Sequence, residues 1–406
     1  MKKYILLVLL TAVCMAGMAQ EKLESVSGVV MDRESHKALS QVNVSVDGSN
    51  VSTITNAEGR FVLKVPRLEG RIVVSHIGYK SRYVAMPKDG KPLRIMLTPS
   101  SLMLAEVVIM PDDPVTLLRE ALRRIPDNYG REPHLYQTFY RETVQKRQNY
   151  IYIAEAVSEL LKTGYNRVSS VRDWVAILKA RRLVSTKQSD TLGVKIQGGP
   201  QLMNQLDFVK NRSLILDRID MEHYNFNVAV PEKIDDRLQV VIEFHPKGTS
   251  PDVLYHGRVY IDNENYTITR AEMTLDMGNR DVATQMMLIK KPAGLRFKPK
   301  ELSMVISFKS DGTYSRINYL RTQMRFSCDW KRRLFSTNFT AVTEMVVTDM
   351  LKEVKGKPGN DTFGPRDSFY DKVDYFGDQD FWADYNIIEP TESLEKAVEK
   401  IRKHHP

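Results

Sequence analysis

The chain has 406 residues, with 59 Lys and Arg against 50 Asp and Glu, a formal charge of +9 at pH 7 and 42% hydrophobic residues. That length supports two domains or so with cores of their own, and the apolar fraction excludes a disordered or low-complexity chain. Cys14 and Cys328 are the only cysteines, which excludes a disulfide framework.

Met1-Lys2-Lys3, the apolar run Tyr4–Met15 and the small residues Gly17 and Ala19 have the pattern of a secretory signal, too short to span a membrane. Cleavage near Ala19 is expected. Thr11-Ala12-Val13 ahead of Cys14 fits a lipidation site poorly, because a small residue belongs beside the cysteine. Loss of residues 1–19 leaves Cys328 alone, and a buried, inert thiol is expected there. Export to the periplasm or outer membrane removes nucleic acid from the expected partners. No later stretch reaches the apolar length of a transmembrane helix. The chain closes on Lys400-Ile401-Arg402-Lys403-His404-His405-Pro406 rather than on the aromatic residue that ends many membrane barrels, so a soluble second domain is expected.

From residue 24 to 97 the chain alternates. Val42, Val44 and Val46 share one parity, as do Val26, Gly28 and Val30. This is period two over strands of ordinary length. Strands are expected at Ser25–Asp32, Gln41–Asp47, Ser52–Thr55, Arg60–Val65, Arg71–Ile77, Lys80–Met86 and Lys91–Leu97, each bounded by Gly, Pro or Asp. Asp47-Gly48-Ser49-Asn50 is turn chemistry. Such spacing suggests two packed sheets.

Gly28-Val29-Val30 with Asp32, Ala38-Leu39, Val42-Asn43-Val44, Thr55-x-x-x-Gly59-x-Phe61 and Gly78-Tyr79 resemble the carboxypeptidase regulatory-like domain. The resemblance covers about a quarter of the chain and implies a transthyretin-like seven-strand sandwich, common in bacterial envelope proteins. Leu104–Ile109 resembles its exit segment. It implies an accessory module and carries no zinc-peptidase chemistry. Gly59 and Gly78 are read as turn formers, and Phe61, His76 and Tyr79 as packing residues. The expected division is a signal at 1–19, the sandwich at 20–110, and a β-rich domain at 111–406.

Asp113-Pro114 opens that second domain as a helix N-cap with proline at the first helical position. A helix is expected over 113–125, with Leu117, Leu118, Ala121, Leu122 and Ile125 on one stripe and Pro126 as its stop. An antiparallel sheet is expected over 135–350, with strands at Leu238–Phe244, Leu254–Asp262, Tyr266–Asp276, Glu301–Phe308, Tyr314–Phe326 and Leu334–Val347. Gly257–Asp262 with Tyr266-Thr267-Ile268 resembles the repeated hairpin of lipoprotein-carrier-like half-barrels. The irregular stretch from Lys187 to about Met221 is expected to cover a groove. An aromatic and acidic tail follows over 351–406, ending in a helix capped by Thr391, with acids at its start and bases at its end.

The chemistry is mostly negative. The sequence has no Gly-x-Ser-x-Gly, P-loop, Gly-x-Gly-x-x-Gly, Cys-x-x-Cys or His-Glu-x-x-His. No histidine has glutamate three residues on. Asp217–His223 places Asp220 near His223, which could serve acid–base work in a dry pocket but reads more simply as a solvated turn. Asp371, Asp374, Asp378 and Asp380 lack the spacing of a calcium loop. Trp382 and Tyr385 could present an aromatic patch to sugar rings. The basic runs Lys179–Arg182, Lys290-Lys291 and Lys331–Arg333 are read as solvated strand edges. No cofactor, metal site or catalytic residue is expected. The expectation is a mostly β, non-enzymatic envelope protein that binds a protein partner, a glycan or an apolar ligand. An enzyme acting on glycans or peptides, or an accessory to outer-membrane transport, are the alternatives.

Overall fold

The computed structural model describes residues 23–100, 113–165, 173–185, 192–212, 221–248, 254–330, 336–351, 369, 382 and 385–403. The leader and Cys14, Asp220, the acidic run 371–380 and Lys331–Arg333 lie outside the described residues.

Seven strands form at the expected places: β1 Glu24–Asp32, β2 Asn43–Val46, β3 Ser52–Ile54, β4 Arg60–Val65, β5 Arg71–Ser75, β6 Arg82–Ala85 and β7 Leu93–Leu97. They make one sheet in the order β4-β1-β7 and another in the order β3-β2-β5-β6. The alternating apolar positions meet between them: Val26, Val30, Phe61, Leu63, Ile95 and Leu97 face Val42, Val44, Ile72 and Val74, all buried. Gly59 has φ +72°, and a Cβ there would stand 2.4 Å from the Val30 carbonyl oxygen. Glycine is therefore required at the turn that sets Phe61 into the core. β3 and β4 are edge strands.

The second part opens with α1, Pro114–Arg123, capped by Asp113, whose carboxylate accepts the N–H groups of Val115 and Thr116. Pro126 does not stop the helical path. It lies in the first turn of a short α2, Ile125–Asn128, where its missing N–H costs nothing. Then come β8 His134–Lys146, β9 Asn149–Lys162, β10 Trp174–Val184, β11 Lys195–Ile196, α3 Pro200–Gln205, β12 Tyr224–Val228, β13 Glu232–Ile234, β14 Arg237–Pro246, β15 Tyr255–Asp262, β16 Ile268–Leu275, α4 Arg280–Met287, β17 Leu288–Lys290, β18 Leu295–Ser310, β19 Ser315–Trp330, β20 Thr337–Leu351 and α5 Glu392–Arg402.

One curved antiparallel sheet of 11 strands results. Its order is β10-β9-β8-β20-β19-β18-β16-β15-β14-β12, with β13 paired to β14. Alternation gives it two distinct faces. The inner face buries Tyr140, Ala154, Leu160, Ile242, Ile261, Met304, Leu320 and Phe326 beneath α1, α3, α4 and Phe208-Val209. The outer face carries Phe139, Val157, Tyr319 and Val346, which pack with Ile54 of the sandwich and with Trp382 and Ile388 of the tail. α5 docks Leu394 and Ile401 against Ile153 and Leu183.

Candidate functional site

On the inner face, residues 192–212 lie over the sheet and bury Val194, Met203, Phe208 and Val209 in its core. A buried ionic cluster pins this cover. Lys162, at the end of β9 and 2% exposed, reaches Asp207 at 2.7 Å, Asp173 at 2.9 Å and the Asn204 side-chain oxygen at 3.0 Å. Tyr165 donates its hydroxyl to Asp207 at 2.7 Å, and Lys210 pairs with Asp173. Burial alone would depress the Lys162 ammonium, but Asp207 and Asp173 raise it above its usual value. Burial would likewise lift the Asp173 carboxyl, yet Lys162 and Lys210 bring it down to about 2.

A second polar contact lies deeper. Tyr140 donates to Glu142 at 2.5 Å and accepts the Gly199 N–H at 2.7 Å. A Cβ on Gly198 would stand 2.5 Å from the Glu142 carboxylate, so a larger residue there would have to displace that carboxylate. Burial raises the Glu142 carboxyl, and the Tyr140 and Gly199 hydrogen bonds recover only part of that. Phe297, Phe326 and Phe339 stack across β18, β19 and β20 at centroid distances of 4.8 and 5.5 Å.

On the outer face, residues 385–390 run as a strap between sandwich and sheet, with Trp382 packed on the same cluster. Asn386 accepts the Lys64 N–H at 2.6 Å and donates to the Lys64 carbonyl at 3.0 Å, closing the β4 edge as a neighbouring strand would. Thr53 donates to the Ile387 carbonyl and Asn56 to that of Pro390. Beneath it Glu155 takes Arg141 at 2.6 Å and Arg181 at 2.5 Å, and Arg141 also donates to the Ile388 carbonyl. The Glu155 carboxyl, which burial would raise, is held below its usual range by these two guanidinium groups. A second contact joins the β13–β14 turn to the sandwich: Gly78 N–H to the Lys233 carbonyl and Ser81 N–H to Asp236. Asp235 and Asp236 both adopt positive φ there, at 51° and 61°.

The motif residues of the first 100 positions can now be joined. Asp32 accepts the Tyr79 hydroxyl at 2.7 Å and the backbone N–H groups of Glu34 and Ser35. The Gly-Val-Val-x-Asp and Gly-Tyr motifs are thus one contact. Residues 26–109 match the family model of the CarboxypepD_reg-like domain. No curated protein matches the sequence. Among solved structures the chain is similar to a LolA superfamily protein from Nitrosomonas europaea, at 12% identity and a TM-score of 0.18 over 60% of this chain and 97% of that one. A DUF1329 family protein from Desulfovibrio piger gives 10% identity and a TM-score of 0.24 over 58% and 94%. Lipovitellin gives 8% and 0.22 over 56% of this chain and 26% of its own length.

In the CarboxypepD_reg-like domain the motif residues pack and hydrogen-bond within the sandwich. Phe61 is 1% exposed. His76 sets its two ring nitrogens at 2.9 and 3.0 Å from the carbonyls of Ile77 and Ser40. His223 is exposed, and its backbone carbonyl accepts the Lys247 N–H. Trp382 corrects an expectation: it is 8% exposed, edge-on to Phe139 at 5.6 Å, and Tyr385 packs beside it on the same cluster. The Trp382 ring is taken up by the outer-face cluster, and Tyr385 is partly buried against it. Arg181 also turns inward from its basic run to Glu155. Cys328 is partly buried against the core, and burial pushes its thiol up to about 12. Among the described residues no group of His, Cys, Asp and Glu could hold a metal, and no helix is long and apolar enough to cross a membrane.

Nothing in the sequence analysis singles out the hub Lys162 or its partners Asp173, Asp207 and Lys210. A lysine ending an apolar strand was the available signal, but its acids lie 11 and 45 positions away.

Proposed function

We propose that the chain is an exported, non-enzymatic binding protein of the cell envelope, whose inner sheet face takes an apolar or amphipathic ligand when residues 192–212 lift. The nature of that cover carries the reading. A sheet face sealed permanently would be expected to meet a second sheet or one long helix. This one meets short helices and an irregular segment fastened by an ionic cluster and by the Gly199–Tyr140 hydrogen bond, and segments of that kind open at low cost compared with global unfolding. Beneath them lie aliphatic rows and the Phe297–Phe326–Phe339 stack, the lining an acyl chain or apolar peptide segment favours. The Met1–Gln20 pattern supports export.

The test is titration with a fluorescent acyl-chain probe, alongside solvent extraction and mass spectrometry of the purified protein. Saturable binding is expected, competed by fatty acid, with faster uptake in Lys162→Met, whose cover has lost its anchor. Melting curves would show that this variant stays folded, and Asp207→Asn offers a milder loosening. No saturable binding in the wild type or in either folded variant would overturn the proposal.

A further inference from the structure

A trench of about 610 Å³ separates the CarboxypepD_reg-like domain from the outer face of the large sheet, and a pocket of about 60 Å³ adjoins it. Lys309 lines both. It projects outward from β18, and its ammonium donates to the Ser45 hydroxyl at 2.5 Å. Among the described residues no carboxylate stands in ion-pair contact with it, and Asp235 acts only at longer range. Among the acids that line it, Asp47 pairs with Arg71 at 2.6 Å and Asp311 with Arg316, while Asp235 and Asp236 are exposed, Asp236 accepting the Ser81 N–H at 3.1 Å. Among the described residues Lys309 is the lining cation with no carboxylate in ion-pair contact. Its side chain is partly buried, and desolvation pushes its ammonium below the usual range. Beside it the Asn43 side-chain oxygen is buried without a hydrogen-bond partner, and Ser75 and Asn318 add further hydroxyl and amide groups.

We infer that this trench is a second binding site, separate from the inner face, for a hydroxyl-rich ligand of disaccharide size bearing one carboxylate or phosphate, with Lys309 as the anion anchor. A partly desolvated ammonium with no carboxylate in contact contributes little to the fold beyond its Ser45 hydrogen bond, and an aliphatic side chain would pack there at least as well. The same ammonium attracts an incoming anion more strongly than an exposed lysine would, because the surrounding dielectric is low. The volume falls within the range of small-molecule sites. Serine and asparagine side chains suit hydroxyl partners, and the Tyr83 ring, 56% exposed at the rim, offers a face to a sugar ring. An apolar ligand would leave these groups unpaired, and a cationic one would meet Lys309.

The experiment is isothermal titration of the full chain at low salt with three probes: a disaccharide ending in a hexuronic acid, one ending in a hexose 6-phosphate, and their neutral parent. At least one acidic probe should bind about tenfold or more tighter than the parent, the scale of a charged contact. Lys309→Met should lose that preference and Lys309→Arg should keep it. Because an anion favours the charged ammonium, binding should also take up protons wherever Lys309 is partly deprotonated, seen across a pH series as an enthalpy that varies with the buffer's ionisation heat. Should Lys309→Met fail to fold, the arginine variant and the proton uptake of the wild type decide. The two acidic probes separate carboxylate from phosphate recognition. Equal affinity for acidic and neutral probes, no binding of any of them, or full acidic preference in a folded Lys309→Met would overturn the inference.

Discussion

At the scale of single residues, charge rather than apolar packing distinguishes the two faces. Lys162 on the inner side and Glu155 on the outer are each 2% exposed or less, and each survives burial by meeting two opposite charges. Asp173 supplies a sign that can be checked. Its folded-state carboxyl lies near 2, below the ordinary value of 3.8, so its ionised form contributes stability above pH 4 that is lost as pH falls toward 2. The shift corresponds to roughly 2 kcal/mol. Denaturant titrations at pH 6 and pH 3 should differ more for the wild type than for Asp173→Asn by about 1 kcal/mol, since a carboxyl titrating near 2 is still mostly ionised at pH 3. Equal pH dependence in both proteins would show that Asp173 does not carry the linkage. These groups were hidden in the sequence because an isolated Lys or Asp reads as solvated until its partner is placed. Phe61 was legible because its turn, strand parity and neighbours are all local.

At the scale of elements, strands were far easier to read than their partners. Alternation at Val42–Val46 located β2, and the strand patterns at Leu254–Asp262, Tyr266–Asp276, Glu301–Phe308 and Tyr314–Phe326 located β15, β16, β18 and β19 without knowledge of the fold. α4 escaped notice, since Arg280–Met287 is a short helix with Ala283 and Met287 as its buried positions. The strap escaped too, because Asn386 carries no strand pattern. It works by imitation: one carboxamide supplies the donor and the acceptor that a neighbouring strand would offer. Asn386→Ala should therefore leave the Lys64 N–H and carbonyl unpaired at a cost of about 1–3 kcal/mol. Hydrogen exchange at the Lys64 amide should accelerate in step with a lower melting temperature. Unchanged protection there would mean that the strap's backbone, not this side chain, closes β4.

At the scale of the whole molecule, the outer-face cluster belongs to three parts at once: Ile54 from the sandwich, Phe139, Val157, Tyr319 and Val346 from the sheet, and Trp382 and Ile388 from the tail. Sharing of this kind couples their unfolding. Calorimetry on the full chain should give one dominant transition, and a chain ending at residue 381 should give two. A single transition in the shortened chain would mean that the Gly78–Lys233 and Ser81–Asp236 contacts suffice to couple the parts. The hinge of this design, the β13–β14 turn with its two left-handed aspartates, was not legible, because Asp-Asp is not the glycine-containing pair such turns usually announce.

The strap also sets a timetable. Lys64 meets Asn386 across a separation of 322 residues, and Asn56 meets Pro390 across 334. A chain made or translocated from its N-terminus therefore presents a sandwich with β3 and β4 unguarded until nearly the last residue emerges. At ordinary synthesis rates that interval is roughly 15–60 s, long compared with the folding of a small β-sandwich. Throughout it, open strand edges are available to other nascent chains. Aggregation in expression cultures should therefore track the speed of C-terminal completion more closely than the equilibrium stability of the finished protein.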